Sequence, residues 1–210
     1  MPNYAHHTFE GGGVAIWHIT ETSAELYAQL ATHRYDASLQ SMTNEGRRAE
    51  WVAVRLLVQQ LFGSECEVAY HPTGRPYLKD CDVHISISHT RGYAAVAYST
   101  KGPIGLDIEH ISDRVERIAS RFTTQAEASY IDVHDEHERL MYHLINWSAK
   151  ETLYKLYDAP TMAEFKAAFH VAPYQLSESG LLTATVSTGD EVKVCYRVSS
   201  DFVCTWAMGS

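Results

Sequence analysis

The sequence predicts an α+β fold made of two similar halves, each with a small antiparallel sheet and packed helices. Apolar residues recur at helical spacing in some segments and alternate with polar residues, between turn residues, in others. These segments run in the order helix, sheet, helix, sheet, and a hydrophobic content of 45% is ample for a core. We assign residues 1–108 to the first half and residues 109–210 to the second. The symmetry is inferred from element order, since the halves share no evident sequence repeat.

Two helices are predicted in the first half. Residues 23–30 form a short helix for which Ser23 is the expected N-cap. A longer helix is predicted to start after Asn44, its N-cap, and to run to Phe62, because apolar residues recur every three or four positions. Gly63 then fits the C-terminal end of this helix.

Short strands account for much of the remaining first half. They are joined by turns rich in Gly, Pro and Thr, and are predicted at residues 14–19, 68–70, 83–87, 93–98 and 104–109. In the last of these strands, Asp107 and Glu109 lie on the same face, because side chains alternate along a strand. Two carboxylates are therefore expected side by side at the end of the first half.

The second half is predicted to hold three helices and then a strand meander. The helices are expected at about residues 113–121, 124–133 and 136–157, and Pro160 is expected to help end the third. The strands are predicted at residues 168–171, 182–187, 193–198 and 203–208.

Composition excludes some classes of function. The net charge of −9, from 17 Lys and Arg against 26 Asp and Glu, argues against bulk binding of nucleic acid or anionic membranes. No apolar stretch approaches a bilayer's thickness, and no signal-peptide pattern opens the sequence, so a cytoplasmic location is expected. The four cysteines have no metal-like spacing, and we expect them to be reduced, buried thiols.

The long helix of the second half carries an acidic residue on its apolar stripe. Leu140, Leu144, Trp147, Glu151 and Lys155 follow one another at three- or four-residue steps. A buried carboxylate requires a cationic or metal partner. The alternative is a Glu151–Lys155 ion pair on a helix that emerges into water.

Asp107 and Glu109 repel each other on one strand face unless a positive group lies near them. Carboxylate oxygens suit Mg²⁺, which completes its coordination with water and substrate phosphate oxygens. With Glu151 as a third carboxylate, a metal site becomes the favoured interpretation. The alternative is a solvent-facing end of an edge strand.

Three further segments carry polar groups suited to phosphate. Residues 86–90 place hydroxyls and an imidazole at a strand end, and residues 73–76 form a turn with one Arg. Arg47, Arg48 and Arg55 lie on the long helix of the first half, where they could clamp phosphate. Ordinary turn chemistry and a solvated helix face are the alternatives.

Four segments occur together in the order and approximate spacing of one enzyme family. They are Gly74-Arg75-Pro76, Ser86-x-Ser88-His89-Thr90, Gly105-x-Asp107-x-Glu109 and Trp147-Ser148-x-Lys150-Glu151-x-x-x-Lys155. Together they resemble the 4′-phosphopantetheinyl transferases, and in particular the longer, monomeric class that activates surfactin synthetase. The resemblance covers about residues 45–157, and its last two segments are the most specific.

The resemblance implies an activity, a fold and partners. Such enzymes transfer the 4′-phosphopantetheine arm of coenzyme A to a serine of an apo acyl or peptidyl carrier protein, releasing 3′,5′-ADP. The resemblance implies a monomer whose two similar α+β halves form a pseudo-dimer, with coenzyme A bound between the halves. It also implies Mg²⁺ as the metal, with Mn²⁺ as an alternative. No nucleic-acid or membrane partner is expected. Because carrier proteins are generally acidic, docking needs a local basic or apolar patch, which we expect around residues 122–130.

The resemblance also implies roles for individual residues. Asp107, Glu109 and Glu151 would bind the metal, Glu151 would also act as general base toward the carrier serine, and Lys155 would hold the pyrophosphate. Asp107, Glu151 and Lys155 are thus the expected catalytic residues. Lys150 matches a family position as well, but it points in a different direction from Glu151 on the helix.

The nucleotide contacts implied by the resemblance lie mostly in the first half. Ser88 and His89 match contacts on the 3′-phosphate side, and Arg48 is assigned to that phosphate, although Arg47 fits equally. The adenine-side loop corresponds to Gly74, Arg75 and Pro76, where the family commonly has Lys in place of Arg75. Lys155 completes the set.

Two other functions stay open from the sequence. Another Mg²⁺-dependent phosphohydrolase or nuclease could use the same three carboxylates, although the negative charge disfavours a nucleic-acid substrate. A non-catalytic relative that binds coenzyme A or a carrier protein is the second alternative.

Overall fold

The computed structural model of the protein describes residues 4–32, 34–132, 135–157 and 165–209, with Tyr4 described in its backbone alone. These residues fall into two units, Met1–Gly102 and Pro103–Ser210. Helices and antiparallel strands occur in both units, which confirms the predicted α+β class.

The first unit holds two antiparallel sheets. Its strands are β1 (Tyr4–Phe9), β2 (Gly12–His18), β3 (Glu67–Tyr70), β4 (Pro76–Lys79), β5 (His84–Thr90) and β6 (Tyr93–Ser99). Four of them form a sheet in the order β1-β2-β6-β5, while β3 and β4 form a separate hairpin. The sequence did not predict β1 or β4. Strand β4 starts at Pro76, which pairs with Tyr70 at the turn end of the hairpin, where a residue without an N–H is tolerated.

Among its described residues, the first unit has the helices α1 (Ser23–Tyr27), α2 (Asp36–Gln40) and α3 (Glu45–Phe62). As predicted, Asn44 caps α3 by accepting a hydrogen bond from the Arg47 amide at 2.9 Å, and Gly63 follows the last residue. The buried face of α3 includes Val52, Leu56 and Leu57 and packs against β2 and β6.

The N-cap of α1 differs from the prediction. The Thr22 hydroxyl accepts from the Glu25 amide, and the Glu25 carboxylate accepts from the Thr22 amide, which is a capping box. Ser23 is the first helical residue, and its amide and hydroxyl both donate to the Glu45 carboxylate.

The second unit packs helices against one five-stranded antiparallel sheet. Its elements are β7 (Ile104–His110), α4 (Arg114–Phe122), α5 (Gln125–Ile131), α6 (Glu136–Tyr157), α7 (Phe165–Ala168), β8 (Phe169–Val171), β9 (Ser179–Val186), β10 (Glu191–Val198) and β11 (Phe202–Met208). The strand order is β7-β11-β10-β9-β8, so β7 pairs with the last strand of the chain. Helix α6 lies across β7 and β11. Pro160, expected to end α6, lies outside the described residues.

The cysteine prediction is wrong for two of the four residues. Cys66 and Cys81 form a disulfide, whereas Cys195 and Cys204 are free thiols. Cys66 precedes β3 and Cys81 follows β4, so hairpin pairing brings their Cα atoms to 6.5 Å, within disulfide range. In the part of the chain that the structure describes, no helix combines the length and apolar character needed to cross a membrane.

Candidate active site

The candidate site of the second unit is built where α6 crosses β7. Gly105 makes this crossing possible, because a Cβ atom at this position would overlap the backbone oxygen of Thr152. Thr152 and Ser148 also hydrogen-bond to Thr205 on β11, which fixes α6 on the sheet. These contacts hold the helix carboxylate and ammonium near the two strand carboxylates. The sequence reasoning did not identify Thr205, because its contacts are long-range.

Two of the expected site residues form a direct ion pair. Lys155 Nζ lies 2.9 Å from Asp107 Oδ1, with Asp107 almost fully buried and Lys155 about a quarter exposed. On the neighbouring position of the same strand face, Glu109 Oε1 accepts a hydrogen bond from Trp147 Nε1 at 2.8 Å. The ammonium and the indole N–H of α6 therefore each hold one carboxylate of β7.

Glu151 lies on the same side of α6 as Lys155, and the negative charges of Asp107 and Glu109 on β7 act on its carboxyl group. Burial raises its pKa to about 7, and the negative charge of Asp107 acts in the same direction, while Lys155 opposes both. Burial and the charge of Asp107 likewise raise the pKa of Glu109. Asp107, Glu109 and Glu151 thus form a cluster of mutually repelling carboxylates, which we call the carboxylate cluster.

The carboxylate cluster suits a hard divalent cation by its donor chemistry. It offers oxygen donors only, and its mutual repulsion would be relieved by a positive ion. Among the described residues, however, no group of three His, Cys, Asp or Glu side chains is arranged closely enough to hold a metal ion. Lys155 and Trp147 hold Asp107 and Glu109 in the arrangement seen.

Lys150, next to Glu151 in sequence, lies apart from this cluster. Its ammonium is fully buried and donates to Glu127 Oε2 at 2.8 Å and to the backbone oxygen of Phe122 at 2.6 Å. Glu127 also accepts from the amides of Thr124 and Val171. Lys150 therefore ties α6, through Glu127, to α5 and β8.

A pocket of about 160 Å³ opens beside the carboxylate cluster. Glu109 and Trp147 line it, together with the apolar side chains of Val115, Ile118 and Leu144. Arg114, on the first turn of α4, adds a positive charge to its lining. Of the carboxylate cluster, Glu109 thus faces a cavity with both apolar and charged walls.

In the first unit, His89 is held between a carboxylate and a guanidinium. Its Nδ1 lies 3.1 Å from Glu50 Oε2, and its Nε2 lies 3.3 Å from Arg47 Nη1. The structure thus places Arg47 against His89, whereas Arg48, which the sequence analysis preferred, is half-buried. Its Nε has no hydrogen-bond partner in the described part of the protein.

Arg55 does not lie on the solvated helix face that the sequence analysis considered for the three arginines of α3. It is buried, and its guanidinium stacks 3.4 Å from the ring centroid of Trp51. It also donates to the Trp51 carbonyl oxygen at 3.1 Å. Arg55 is a core residue, because the ring of Trp51 and a carbonyl oxygen stabilise its buried guanidinium.

The remaining expected nucleotide contacts lie on β5 and in the β3–β4 turn. Gly74 has a φ of +90° and closes the turn by donating its amide to the His71 carbonyl. Arg75 is half-buried next to it, and Pro76 opens β4. Ser88 is buried on β5, next to His89.

A protein-family model matches the part of the chain that contains the carboxylate cluster. The model of the 4′-phosphopantetheinyl transferase superfamily matches residues 103–207. This segment includes the carboxylate cluster, Lys150 and Lys155, and it coincides with nearly all of the second unit.

Curated proteins with similar sequences carry the same description. The chain is 33% identical over 97 residues to "4′-phosphopantetheinyl transferase Sfp" of Bacillus subtilis (strain 168), covering 46% of this chain and 43% of that protein. It is 36% identical over 85 residues to a "4′-phosphopantetheinyl transferase" of Bacillus subtilis, covering 39% and 37%. It is 30% identical over 82 residues to "4′-phosphopantetheinyl transferase gsp" of Aneurinibacillus migulanus, covering 39% and 34%. The chain thus matches well under half the length of these relatives.

Proposed function

The chain belongs to the 4′-phosphopantetheinyl transferase superfamily, and from this membership we propose that it transfers the 4′-phosphopantetheine arm of coenzyme A to a serine of an apo acyl or peptidyl carrier protein. The products are the holo carrier protein and 3′,5′-ADP. The observation that carries this proposal is the grouping of the carboxylate cluster and Lys155 on β7 and α6, within the segment that the family model matches.

The proposed reaction needs a base, and Glu151 is suited to that role. The serine hydroxyl attacks the phosphorus that bears the pantetheine arm, the bond from this phosphorus to the bridging oxygen breaks, and 3′,5′-ADP leaves. The hydroxyl proton passes to Glu151, directly or through water. In the protein without metal, the pKa of Glu151 is raised to about 7, so its carboxylate is a stronger base than an ordinary glutamate and is partly ionised near neutral pH.

Lys155 and the metal would stabilise negative charge in this reaction. The Lys155 ammonium donates a hydrogen bond to Asp107 in the structure. Beside the carboxylate cluster, its positive charge would stabilise the negative charge of a bound phosphate. Asp107, Glu109 and Glu151 would hold Mg²⁺, or Mn²⁺ in its place, and the ion would supply charge neutralisation on the pyrophosphate. Our proposal assigns the nucleotide to Arg48, Gly74, Arg75, Pro76, Ser88 and His89, with Lys155.

Intact-protein mass spectrometry of an apo acyl carrier protein tests the proposal directly. After incubation with the protein, coenzyme A and Mg²⁺, we expect the carrier to gain the mass of one phosphopantetheine arm. EDTA or the substitution Glu151→Gln is expected to abolish this gain. Glu136→Gln, which changes an exposed carboxylate on the same helix, should leave it intact.

Other outcomes would point to the alternatives. Coenzyme A binding without any transfer to several apo carriers would favour a non-catalytic binding protein. Phosphate release from coenzyme A without a modified carrier would favour a phosphohydrolase. We also propose a monomer with neither nucleic-acid nor membrane partners, which light scattering and binding assays with DNA and lipid vesicles would check.

A further inference from the structure

Glu50, Arg47 and His89 form a chain of polar contacts across α3 and β5. Glu50 and Arg47 are three positions apart on α3, and both reach the imidazole of His89 on β5. The Glu50 side chain is 17% exposed and the imidazole 37% exposed. An anion arriving from solvent would therefore meet His89 and the exposed Arg47 before it met the Glu50 carboxylate.

The contacts determine which nitrogen of His89 carries the proton in this arrangement. A guanidinium has only donors, so His89 Nε2, which faces Arg47 Nη1, accepts a hydrogen bond. An ionised carboxylate has only acceptors, so His89 Nδ1, which faces Glu50, donates. Both contacts fit the tautomer of His89 with its proton on Nδ1, and the Glu50 carboxylate favours this tautomer by accepting from Nδ1.

A phosphate that binds here would replace Arg47 as the hydrogen-bond partner of His89 Nε2. The Arg47 guanidinium can turn to the phosphate oxygens, and His89 Nε2 can then donate to the phosphate once it gains a proton from solvent. The ring would keep its Nδ1 hydrogen bond to Glu50. A ligand without this phosphate would leave the Arg47–His89–Glu50 arrangement unchanged.

We propose that Glu50 is a positioning residue that holds His89 for a phosphomonoester, and that it thereby sets the preference of the protein for nucleotides carrying a 3′-phosphate. The ligand class rests on the proposed function, since coenzyme A is such a nucleotide. Neither the family resemblance nor the matched segment at residues 103–207 assigns a role to Glu50.

Isothermal titration with two ligands that differ in one phosphate measures this preference. The ligands are adenosine 3′,5′-bisphosphate and adenosine 5′-monophosphate. The quantity is the dissociation constant of the monophosphate divided by that of the bisphosphate, so a larger ratio means a stronger preference for the bisphosphate. We expect Glu50→Ala to reduce the preference for the bisphosphate roughly tenfold, as the loss of one charge-assisted hydrogen bond would. Glu50→Gln, which can still accept from Nδ1, should restore part of it.

Two results would overturn the proposal. An unchanged ratio would mean that Glu50 has no part in phosphate recognition. An increased ratio would mean that Glu50 merely repels the phosphate. A double-mutant cycle sharpens the test, because Glu50→Ala should have no further effect on the ratio in a His89→Ala background. Glu65→Gln, which removes an exposed carboxylate elsewhere in the first unit, is the charge control and should leave the ratio unchanged.

Nitrogen-15 NMR of the imidazole gives an independent readout that a loss of folding would not mimic. In the free protein we expect the His89 resonances of the Nδ1–H tautomer, assigned by their absence in His89→Gln, and on saturation with the bisphosphate those of the imidazolium. A free protein with the Nε2–H tautomer would contradict the proposal.

These measurements separate the inference from the proposed function. Bisphosphate binding needs no carrier protein and no transfer reaction. Selective binding that depends on Glu50 in a protein without transferase activity would retain the inference and reject the function. Transferase activity in a protein whose ratio of dissociation constants does not depend on Glu50 would retain the function and reject the inference.

Discussion

At Glu151, two physical effects act in the same direction. Removal of the carboxylate from water and the negative charge of Asp107 both favour the protonated acid, and together they raise the pKa to about 7. In the folded protein without metal, Glu151 therefore keeps its proton at pH values where the unfolded chain has lost it. The group stabilises the folded state less as the pH rises from about 4.5 to about 7.

We predict that Glu151→Gln weakens the pH dependence of stability in this window. In wild-type protein with EDTA, the free energy of unfolding should fall more between pH 5 and pH 7 than it does in the variant. The difference is the contribution of Glu151, because glutamine does not titrate. Urea denaturation at both pH values measures the difference. Equal slopes for the two proteins would show that Glu151 ionises normally in the folded state.

At the scale of elements, α6 carries two lysines with different environments. Lys155 is partly exposed and pairs with Asp107, whereas Lys150 is fully buried and pairs with Glu127. Burial lowers the pKa of Lys150, and Glu127 opposes this effect. Lys150, beside Glu151 in the motif, thus positions the helix that carries the proposed base.

Lys150→Met is expected to destabilise the protein by about 3–5 kcal/mol, because it leaves the buried Glu127 carboxylate without its cation. Arg117→Met breaks an exposed pair with Asp113 and should cost only about 0.3–0.5 kcal/mol. Denaturant unfolding of both variants gives the comparison. A small loss for Lys150→Met would mean that Glu127 takes up a proton or that water reaches it.

The β3–β4 hairpin carries the turn assigned to the nucleotide and is closed at its base by the Cys66–Cys81 disulfide. The disulfide links residues 15 positions apart. In the chain-entropy account, a loop of this size stabilises the folded state by about 3 kcal/mol.

Reduction of this disulfide is predicted to lower the melting temperature. The oxidised protein should titrate with two free thiols, Cys195 and Cys204, after unfolding, and a dithiol reductant should raise this number to four. Calorimetry with and without reductant measures the loss. The double variant Cys66→Ser/Cys81→Ser should melt at the same temperature in both conditions, and a reductant effect that persisted there would assign the loss to another cause.

At the scale of the whole molecule, each unit has its own hydrophobic core. One core is formed around α3, with Trp17, Leu26 and Leu57, and the other around α6, with Phe122 and Leu153. The net charge of −9 is a property of the entire chain, and it acts on an approaching protein over about the Debye length.

We predict that an acidic carrier protein is used better as salt is added from very low ionic strength. Between about 10 and 100 mM salt the Debye length shrinks from about 30 to about 10 Å, so repulsion between two acidic proteins is screened. The KM for the carrier should fall over this range. A KM that rises instead would show that attraction between the carrier and a local basic patch dominates the encounter.

Local sequence patterns determined most elements and the identity of the candidate site. Hydrophobic spacing predicted α3 and α6, and the Asn44 cap and Gly63 end of α3 are confirmed, because such signals act within a few residues. The alternation of side chains along β7 likewise placed Asp107 and Glu109 together. The Glu-x-x-x-Lys spacing on α6 placed Glu151 and Lys155 on one face.

Only the tertiary structure decided which distant residues meet. Glu127 became the partner of Lys150, Cys66 that of Cys81, and Glu50 that of His89 across 23, 15 and 39 positions of sequence, respectively. Arg55 was placed in the core on Trp51 instead of in solvent. These pairings depend on how helices and strands pack, and packing energy is shared among many residues that no short pattern records.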